Sequence, residues 1–287
     1  MNADGVELRH LRALVALTEE GTFTGAAVRL GISQPAVSRT VVALESLLGT
    51  SLVTRTTRTV ALTEAGARAY RAAVTVLAGV DDVLAAARGV TRPLRLGYAW
   101  SALGRHTSAV LRRWRAEHPD VALEVHRIDA VDGGLGRDAA DVAVIRGEFE
   151  RSDCVVQVVF REPRMAALPS GHALAGREAV LLGELRDETV LTSTYGVTRL
   201  DLWSPEERPR AMVTVDNTDE WITEIAGGLG IGVTSESTAA QHAHPGVVFV
   251  PVDDAAWLPV QLAWPARHPH PATAAFVELV GRVVSGR

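Results

Sequence analysis

The spacing of apolar residues divides the chain into a helical first third and a longer remainder in which short apolar runs alternate with amphipathic stretches. Over residues 6–20, apolar side chains such as Leu8, Leu11 and Leu14 recur at helical spacing. This periodicity predicts a first helix that ends before Gly21.

A helix-turn-helix is predicted over residues 23–42. Gly31 stands where the first of its helices must end, because glycine tolerates a left-handed backbone without steric cost. Thr24 and Ser33 are the predicted N-caps of the two helices, and the apolar face of the second helix begins at Val37. The polar and small residues left at the exposed start of the second helix are Gln34, Pro35, Ala36, Ser38 and Arg39. Such a helix start suits a DNA major groove, and the alternative is an ordinary helical hairpin with a solvated polar face.

Residues 52–62 alternate in a way that predicts a two-stranded β wing. Arg55 and Arg58 lie at its tip, where guanidinium groups suit contacts to phosphates or to the minor groove. Two solvated loop arginines are the alternative interpretation.

A long helix is predicted from Glu64 to about Arg88, capped by Thr63. At the usual rise per residue it would span about 40 Å. Its apolar residues are small and aligned, so the helix is expected to pack on its own domain or to pair with the same helix of a second chain. Gly89 and Pro93 mark a domain boundary behind it.

From Leu94 onward, strands alternate with amphipathic helices over nearly 200 residues. This order predicts an open, mostly parallel α/β sheet divided in two. Because such sheets bind ligands beyond the carboxyl ends of their strands, the side chains that follow the strands are the candidates for a small-molecule site. They are Trp100, Ser101, Asp129, Arg146, Thr192, Ser193, Thr194, Asn217 and Thr234.

These candidates predict a small carboxylated or otherwise hydrogen-bonding ligand, with Trp100 available to stack on an aromatic part. Each candidate has a structural alternative. Serine and asparagine at these positions serve equally well as helix caps, Trp100 as a core residue, and Arg146 as the partner of Asp129 or Asp216 in a structural ion pair.

Composition narrows the function classes only slightly. The net charge is −5, and residues 1–65 carry six arginines and six acidic residues, so any DNA affinity must come from the placement of the arginines. The single cysteine, Cys154, falls in an apolar run and is expected to be a small core residue rather than a redox sensor. No signal peptide or run of about 20 apolar residues is found, so we expect a cytoplasmic protein without a membrane span.

The chain lacks a Gly-x-Ser-x-Gly motif, a phosphate loop and a His-x-x-x-His zinc pair, so we expect no enzymatic activity, no cofactor and no metal. Four histidines in loops, His242, His244, His268 and His270, could bind a metal, although surface histidines are the commoner explanation. A transport receptor and a DNA-binding architectural protein without an effector are further alternatives.

The stretch from Leu8 to Gly66 closely resembles the winged helix-turn-helix of LysR-type transcriptional regulators. The residues that carry the resemblance are Phe23, Ala26, Ala27, Leu30, Ser33, Gln34, Pro35, Ala36, Ser38, Leu44, Glu45, Leu48, Gly49, Leu52, Arg55, Leu62, Thr63, Ala65 and Gly66. The resemblance continues more weakly through the rest of the chain, at 115–121 and 226–233.

This resemblance implies an α+β multidomain protein, in which a winged helix-turn-helix over 1–65 is followed by a dimerising linker helix over 66–90. An effector-binding domain over 91–287 would be two-lobed and built like a periplasmic binding protein. Its lobes would comprise 93–161 with 265–287, and 162–264. The implied partners are double-stranded operator DNA, a small-molecule effector, a second chain joined through the linker helix, a tetramer of chains, and RNA polymerase.

Overall fold

A computed structural model describes residues 5–55, 60–87, 91–137 and 139–286. The chain divides into two compact units. The first comprises Met1–Arg92 and Gly136–Asp138, and the second comprises Pro93–Leu135 and Ala139–Arg287. In the part of the chain that the structure describes, no helix is both long enough and apolar enough to span a membrane.

The first unit contains the predicted three helices, the two-stranded wing and the long helix. Its elements are α1 (Leu8–Glu20), α2 (Phe23–Leu30), α3 (Gln34–Leu48), β1 (Val53–Arg55), β2 (Val60–Leu62) and α4 (Glu64–Ala87). The two strands pair in antiparallel fashion. Leu14 and Leu17 of α1, Ala26 of α2, and Val37 and Val41 of α3 form a common buried core.

The buried face of α1 agrees with the predicted stripe only in part. Leu14 and Ala16 are buried, but Leu8 at the start of the stripe is 37% exposed, and His10, Ala13 and Leu17 are buried as well. Several apolar positions of α1 satisfy a helical period, and contact with α2 and α3 decides which of them turn inward.

Helix α4 begins as predicted, because the Thr63 hydroxyl accepts a hydrogen bond from the Gly66 N–H at 2.9 Å. A Cβ atom on Gly66 would lie 1.9 Å from the Leu52 carbonyl oxygen, so the helix start packs closely against the chain entering the wing. Tyr70 and Ala73 are buried within the same unit. Further along the helix, the predicted apolar stripe is exposed at Val76, Val83 and Leu84.

The second unit contains two five-stranded sheets. The first sheet has the order β4-β3-β5-β12-β6. Its strands are β3 (Leu94–Tyr98), β4 (Leu123–Arg127), β5 (Val142–Arg146), β6 (Cys154–Glu162) and β12 (Leu258–Pro265). Strand β3 is parallel to β4 and β5, and β12 is antiparallel to β5 and β6.

The second sheet has the order β11-β7-β10-β8-β9. Its strands are β7 (Arg164–Pro169), β8 (Thr189–Ser193), β9 (Ala211–Val215), β10 (Ile231–Ser235) and β11 (Val247–Pro251). Strand β8 is parallel to β9 and β10, and β7 is antiparallel to β10 and β11. Each sheet therefore has as many antiparallel as parallel pairs, and the prediction of a mostly parallel sheet was wrong.

The antiparallel pairs arise where the chain crosses between the sheets. It leaves the first sheet at the end of β6, enters β7 after the single residue Pro163, and returns after β11 to begin β12. Leu258, the first residue of β12, pairs with Glu162, the last residue of β6. A chain that returns at the end where it left must run in the opposite direction, so β12 is antiparallel to β6.

This return also corrects the predicted lobe boundary. Strand β12 was expected to lie mainly in the second lobe, 162–264, but it pairs within the first sheet. The chain returns between Pro251 and Leu258.

Helices cover the sheets and complete their cores. They are α5 (Thr107–Glu117), α6 (Thr218–Ala226), α7 (Glu236–Gln241) and α8 (Thr273–Val284). The Trp114 and Phe276 rings of α5 and α8 meet edge to face at 5.5 Å over the first sheet. Helix α5 was predicted from Ala102 but starts at Thr107, because Ser101 and Ala102 have positive φ angles of 54° and 33° that interrupt a regular helix.

Candidate functional site

The start of α3 presents a polar surface, as the sequence predicted. Val37 and Val41 are buried, which turns Gln34 and Arg39 outward. Pro35 is also exposed, in the first turn where its missing N–H is tolerated. Ala36 and Ser38 are half-buried on the same helix.

The two predicted helix caps in this region have different outcomes. Ser33 occupies the N-cap position of α3, although its side chain accepts no capping hydrogen bond. Thr24 is not a cap: Thr22 occupies the N-cap position of α2, and its hydroxyl accepts a hydrogen bond from the Gly25 N–H at 3.0 Å. Thr24 instead lies exposed in the first turn of α2.

Arg39 is an available cation on this surface. In the described ranges, no carboxylate oxygen lies within 4.0 Å of its guanidinium group. Arg29 of α2 differs, because it forms ion pairs with Glu19 and Glu20. Arg58 lies outside the described residues, and the structure does not describe the side chain of Arg55.

In the second unit, four of the nine ligand candidates line one small cavity, which we call the hydroxyl cavity. Trp100 reaches it from the first sheet, and Thr192, Ser193 and Thr234 reach it from the second. The remaining lining residues are Gly196, Val197, Thr198, Thr218, Trp221, Val233 and Thr238. Its free volume of about 20 Å³ is close to the space that one water molecule needs.

Some polar groups of the hydroxyl cavity bond internally and others do not. Thr198 donates to the Val233 carbonyl, and Thr192 donates to the Thr198 carbonyl at 3.1 Å. In the part of the chain that the structure describes, the hydroxyls of Ser193, Thr218 and Thr234 have no hydrogen-bond partner. These three hydroxyls could therefore pair with a ligand's donors and acceptors without giving up an internal hydrogen bond of their own.

The hydroxyl cavity also contains residues that sequence reasoning missed. Thr198 lies in a loop beyond the end of β8, Trp221 in α6, and Thr238 in the short helix α7. None of the three follows a strand directly, so the strand-end rule could not identify them. Trp221 lies beneath the cavity, and its indole N–H donates to the Leu191 carbonyl at 2.8 Å.

Three other candidates lie apart from this cavity. Asp129 is exposed and its carboxylate accepts from Arg127 at 3.3 Å, and Thr194 is exposed. Asn217 caps α6 by accepting hydrogen bonds from the Asp219 and Glu220 N–H groups, each at 3.0 Å. For Asn217 the structural alternative, a helix cap, is the one that the structure shows.

Arg146 has a structural partner, but not one of those predicted. Its Nε donates to Glu162 at 2.7 Å rather than to Asp129 or Asp216. Its terminal nitrogens donate to the carbonyls of Trp100 at 2.9 Å and Ser101 at 3.4 Å. Burial lowers the pKa of Arg146, and the nearby Glu162 carboxylate opposes that shift.

The Arg146–Glu162 pair anchors the segment that follows β3. Glu162 also accepts hydrogen bonds from the backbone N–H and the hydroxyl of Ser237. Ser101 is 4% exposed and its hydroxyl has no partner within the described residues, so it does not act as the predicted helix cap. All three side-chain nitrogen atoms of Arg146 therefore donate to groups of the protein itself.

A second and much larger cavity of about 900 Å³ lies beside the chain crossings. Its lining combines charged side chains with apolar ones such as Phe149, Trp257 and Leu258. Arg164, the first residue of β7, is 9% exposed and lines this cavity. We call this larger cavity the Arg164 cavity.

Cys154 and the loop histidines contribute no comparable site. Cys154 is half-buried at the start of β6, and burial raises the pKa of its thiol. Within the described ranges, no group of three or more histidine, cysteine or acidic side chains is placed to hold a metal ion.

Comparison with known proteins matches both units to family models. Residues 8–67 match the model described as bacterial regulatory helix-turn-helix protein, lysR family. Residues 87–285 match the model described as LysR substrate binding domain. The second match alone spans more than half of the 287-residue chain.

Two curated Escherichia coli K12 proteins are similar to the chain. The uncharacterized HTH-type transcriptional regulator YnfL is 37% identical over 190 residues, and the match spans 64% of each protein. The Hca operon transcriptional activator HcaR is 28% identical over 288 residues, covering 96% of this chain and 97% of HcaR.

Among solved structures, full-length CbnR in complex with its target DNA has a similar fold. It superposes with a TM-score of 0.67 at 23% identity, over 97% of this chain and 100% of CbnR.

Proposed function

Because the chain belongs to the LysR family, we propose that it is a transcriptional regulator that binds promoter DNA sequence-specifically and responds to a small-molecule effector. The observation that carries the proposal is the exposed polar start of α3, held outward by a buried apolar face. The relatives named above are transcriptional regulators, and we assign no catalytic reaction to this chain.

In this proposal the start of α3 enters the major groove. Gln34 and Arg39 carry the amide and guanidinium groups best suited to bidentate contacts with base edges. Thr24, Ser33, Pro35, Ala36 and Ser38 belong to the same proposed interface, and Arg55 and Arg58 would contact the phosphates or the minor groove. The solved complex of CbnR with its target DNA supports this use of the fold.

Two chains would bind together through α4. Val76, Val83 and Leu84 are exposed on the second half of this helix, and a second copy would cover them. A dimer brings two copies of α3 to two half-sites of an operator. A tetramer and contacts with RNA polymerase are part of the same proposal.

The hydroxyl cavity is the proposed effector site. Three of its hydroxyls lack a partner among the described residues, which favours a polar or anionic compound that both donates and accepts hydrogen bonds. The free volume of about 20 Å³ is far below that of a typical ligand site, about 300 Å³ or more. Effector binding would therefore widen the hydroxyl cavity. This movement would couple effector binding to the arrangement of the DNA-binding units.

DNase footprinting of the full-length chain on the DNA upstream of its own gene tests the regulator proposal. We expect a long protected stretch that contains inverted-repeat half-sites. The Arg39→Ala variant should lose about 1–3 kcal/mol of specific binding free energy while its binding to random DNA changes little.

Arg71→Ala is the matched control, because Arg71 is an exposed arginine of α4 in the same unit. It should leave the footprint unchanged. Equal losses on operator and random DNA would identify Arg39 as a phosphate contact, and absence of any protection at low salt would refute the DNA-binding proposal.

A further inference from the structure

The Glu45 side chain ties the wing to α3. One oxygen of its carboxylate, Oε1, accepts hydrogen bonds from the backbone N–H groups of Leu52 at 2.7 Å and Val53 at 3.2 Å. Glu45 lies near the end of α3, and Val53 is the first residue of β1. The carboxylate therefore links the helix that is proposed to enter the major groove to the strand that leads into the wing.

This link spans a reversal of the chain. Helix α3 ends at Leu48, and Gly49 follows it with a positive φ of 66°. The Thr50 N–H donates to the Glu45 carbonyl at 3.2 Å. Glu45 thus contacts both sides of the reversal, through its backbone at the end of the helix and through its side chain at the start of the wing.

Other hydrogen bonds hold the wing to elements outside α3. The Leu52 carbonyl accepts from the Thr63 N–H at 2.9 Å, and the Val60 N–H donates to the Gly21 carbonyl at 3.2 Å. Leu52 is also buried in the core of the first unit. These contacts remain when the Glu45 carboxylate is altered, so we expect such variants to fold and to differ in the direction of β1.

A carboxylate is electrostatically unfavourable on a helix that approaches DNA. Glu45 is the only acidic residue in the sequence of α3, and DNA phosphates repel its charge. Its bonds to the wing are charge-assisted, and such bonds are about twice as strong as those between neutral groups. The hydrogen bonds to the wing therefore explain the carboxylate at this position better than a contact with DNA does.

We propose that Glu45 is a positioning residue for the wing. It directs β1 so that Arg55, the last residue of this strand, reaches DNA while the start of α3 lies in the major groove. The inference rests on the proposed function, because it requires α3 and the wing to bind one operator together. A wing held at a fixed angle to α3 binds without first losing conformational freedom, so its contacts add more to affinity.

Two substitutions separate the length of the Glu45 side chain from its charge. Glu45→Gln keeps an acceptor oxygen at the same reach and removes the charge, whereas Glu45→Asp keeps the charge and shortens the side chain by about 1.5 Å. Fluorescence anisotropy on the footprinted operator should show Glu45→Gln within about threefold of the wild-type affinity and Glu45→Asp weaker by about fivefold or more. Equal affinities of the two variants, or the reverse order, would overturn the inference.

The salt dependence of binding distinguishes a misdirected wing from a general loss of stability. Each lost contact between a cation and a phosphate reduces the slope of log affinity against log salt by about 1. Glu45→Asp and Arg55→Ala should each reduce this slope, whereas Glu45→Gln should leave it unchanged. An unchanged slope in Glu45→Asp would mean that the wing still contacts DNA, and the inference would be wrong.

A double-mutant cycle connects Glu45 to Arg55. Arg55→Ala should lower operator affinity by about fivefold or more in the wild-type chain, but by less than about twofold in the Glu45→Asp chain. The second loss is smaller because the misdirected wing has already lost the contact. Equal losses in the two backgrounds would refute the positioning role.

Glu64→Asp is the matched control. It is the same substitution in the same unit, at a side chain that is 92% exposed and pairs with Arg68 of its own helix at 2.6 Å. Operator affinity and salt slope should both stay at their wild-type values. Circular dichroism establishes that each full-length variant is folded before its affinity is compared.

The outcomes also separate this inference from the regulator proposal. Absence of a wild-type footprint would refute both, and a footprint that Arg55→Ala does not weaken would refute the proposed wing contact and the inference that depends on it. A footprint that depends on Arg55, with independent effects of Glu45→Asp and Arg55→Ala, would refute the positioning role alone.

Discussion

The start of α3 and the crossing between the two sheets both carry arginines, but the guanidinium groups lie in opposite environments. Arg39 is exposed and, among the described residues, has no carboxylate within 4.0 Å, whereas Arg146 is buried against Glu162 and two carbonyl groups. Water solvates an unpaired group at the surface without cost, but a buried group needs a partner. Exposed polar groups thus remain available to an external partner, and buried ones indicate a ligand only when their internal partners are incomplete.

The largest expected effect comes from breaking the buried pair. Glu162→Ala should lower the free energy of unfolding by about 3–5 kcal/mol, because it leaves the buried Arg146 charge without its carboxylate. Urea unfolding monitored by tryptophan fluorescence measures this, since Trp114, Trp203 and Trp221 are buried in the same unit.

Two exposed substitutions provide the comparison. Glu117→Gln removes the partner of Arg282 in an ion pair whose side chains are 41% and 38% exposed, and it should cost less than about 1 kcal/mol. Arg39→Ala should change the free energy of unfolding by less than about 0.5 kcal/mol. If Glu162→Ala were no more costly than Glu117→Gln, the contrast between the two regions would not hold.

A smaller effect on the free energy of unfolding is expected from two threonines at the exposed start of α2. Thr22→Ala should cost about 1 kcal/mol, because its hydroxyl caps α2, whereas Thr24→Ala should cost less than about 0.5 kcal/mol. Thermal unfolding followed by circular dichroism compares the two variants. Equal losses would mean that the capping bond to the Gly25 N–H adds nothing to stability.

The smallest effect is expected for the partly exposed ion pair of Arg151 and Asp153. Hydrogen bonding from Arg151 lowers the pKa of Asp153 from 3.8 to about 2. The carboxylate therefore contributes stability above its ordinary pKa, and this contribution is lost as the pH falls through about 2. Since the Asp153 side chain is 56% exposed, the contribution should be well below about 1 kcal/mol after solvent screening.

Thermal unfolding of the wild-type chain and of Asp153→Asn between pH 2 and 5 measures this contribution. The difference between the two proteins should narrow as the pH decreases. A difference that stays constant over this range would contradict the assigned pairing.

Sequence reasoning was accurate where a surface is formed by neighbouring residues. The polar face of α3 spans only about one and a half helical turns. Periodicity alone therefore places Gln34 and Arg39 outside and Val37 inside. The error at Thr24 is of the same local kind, because two threonines near the helix start satisfy the same capping rule.

Reasoning from strand ends was accurate only in part, because those residues lie far apart in the sequence. Thr192, Ser193 and Thr234 follow or end neighbouring strands of one sheet and do meet. Thr198 and Thr238 join them through a loop and a short helix, whose positions depend on packing.

The partner of Arg146 depends on strand register. Arg146 of β5 reaches Glu162 of β6 across β12, which lies between these two strands in the first sheet. The sequence pattern identified β12 as a strand but could not show which sheet it joins. The pairing of Arg146 and the boundary of the second lobe were therefore wrong for the same reason.

The two chain crossings also limit how the two sheets of the second unit can move. A short covalent segment joins the sheets at Pro163, and a second segment joins them between Pro251 and Leu258. Sliding one sheet past the other would stretch both segments, whereas rotation about the line through them changes only a few backbone torsion angles. Glu162 and Arg164 flank the first crossing, so their own charges lie next to the axis of rotation.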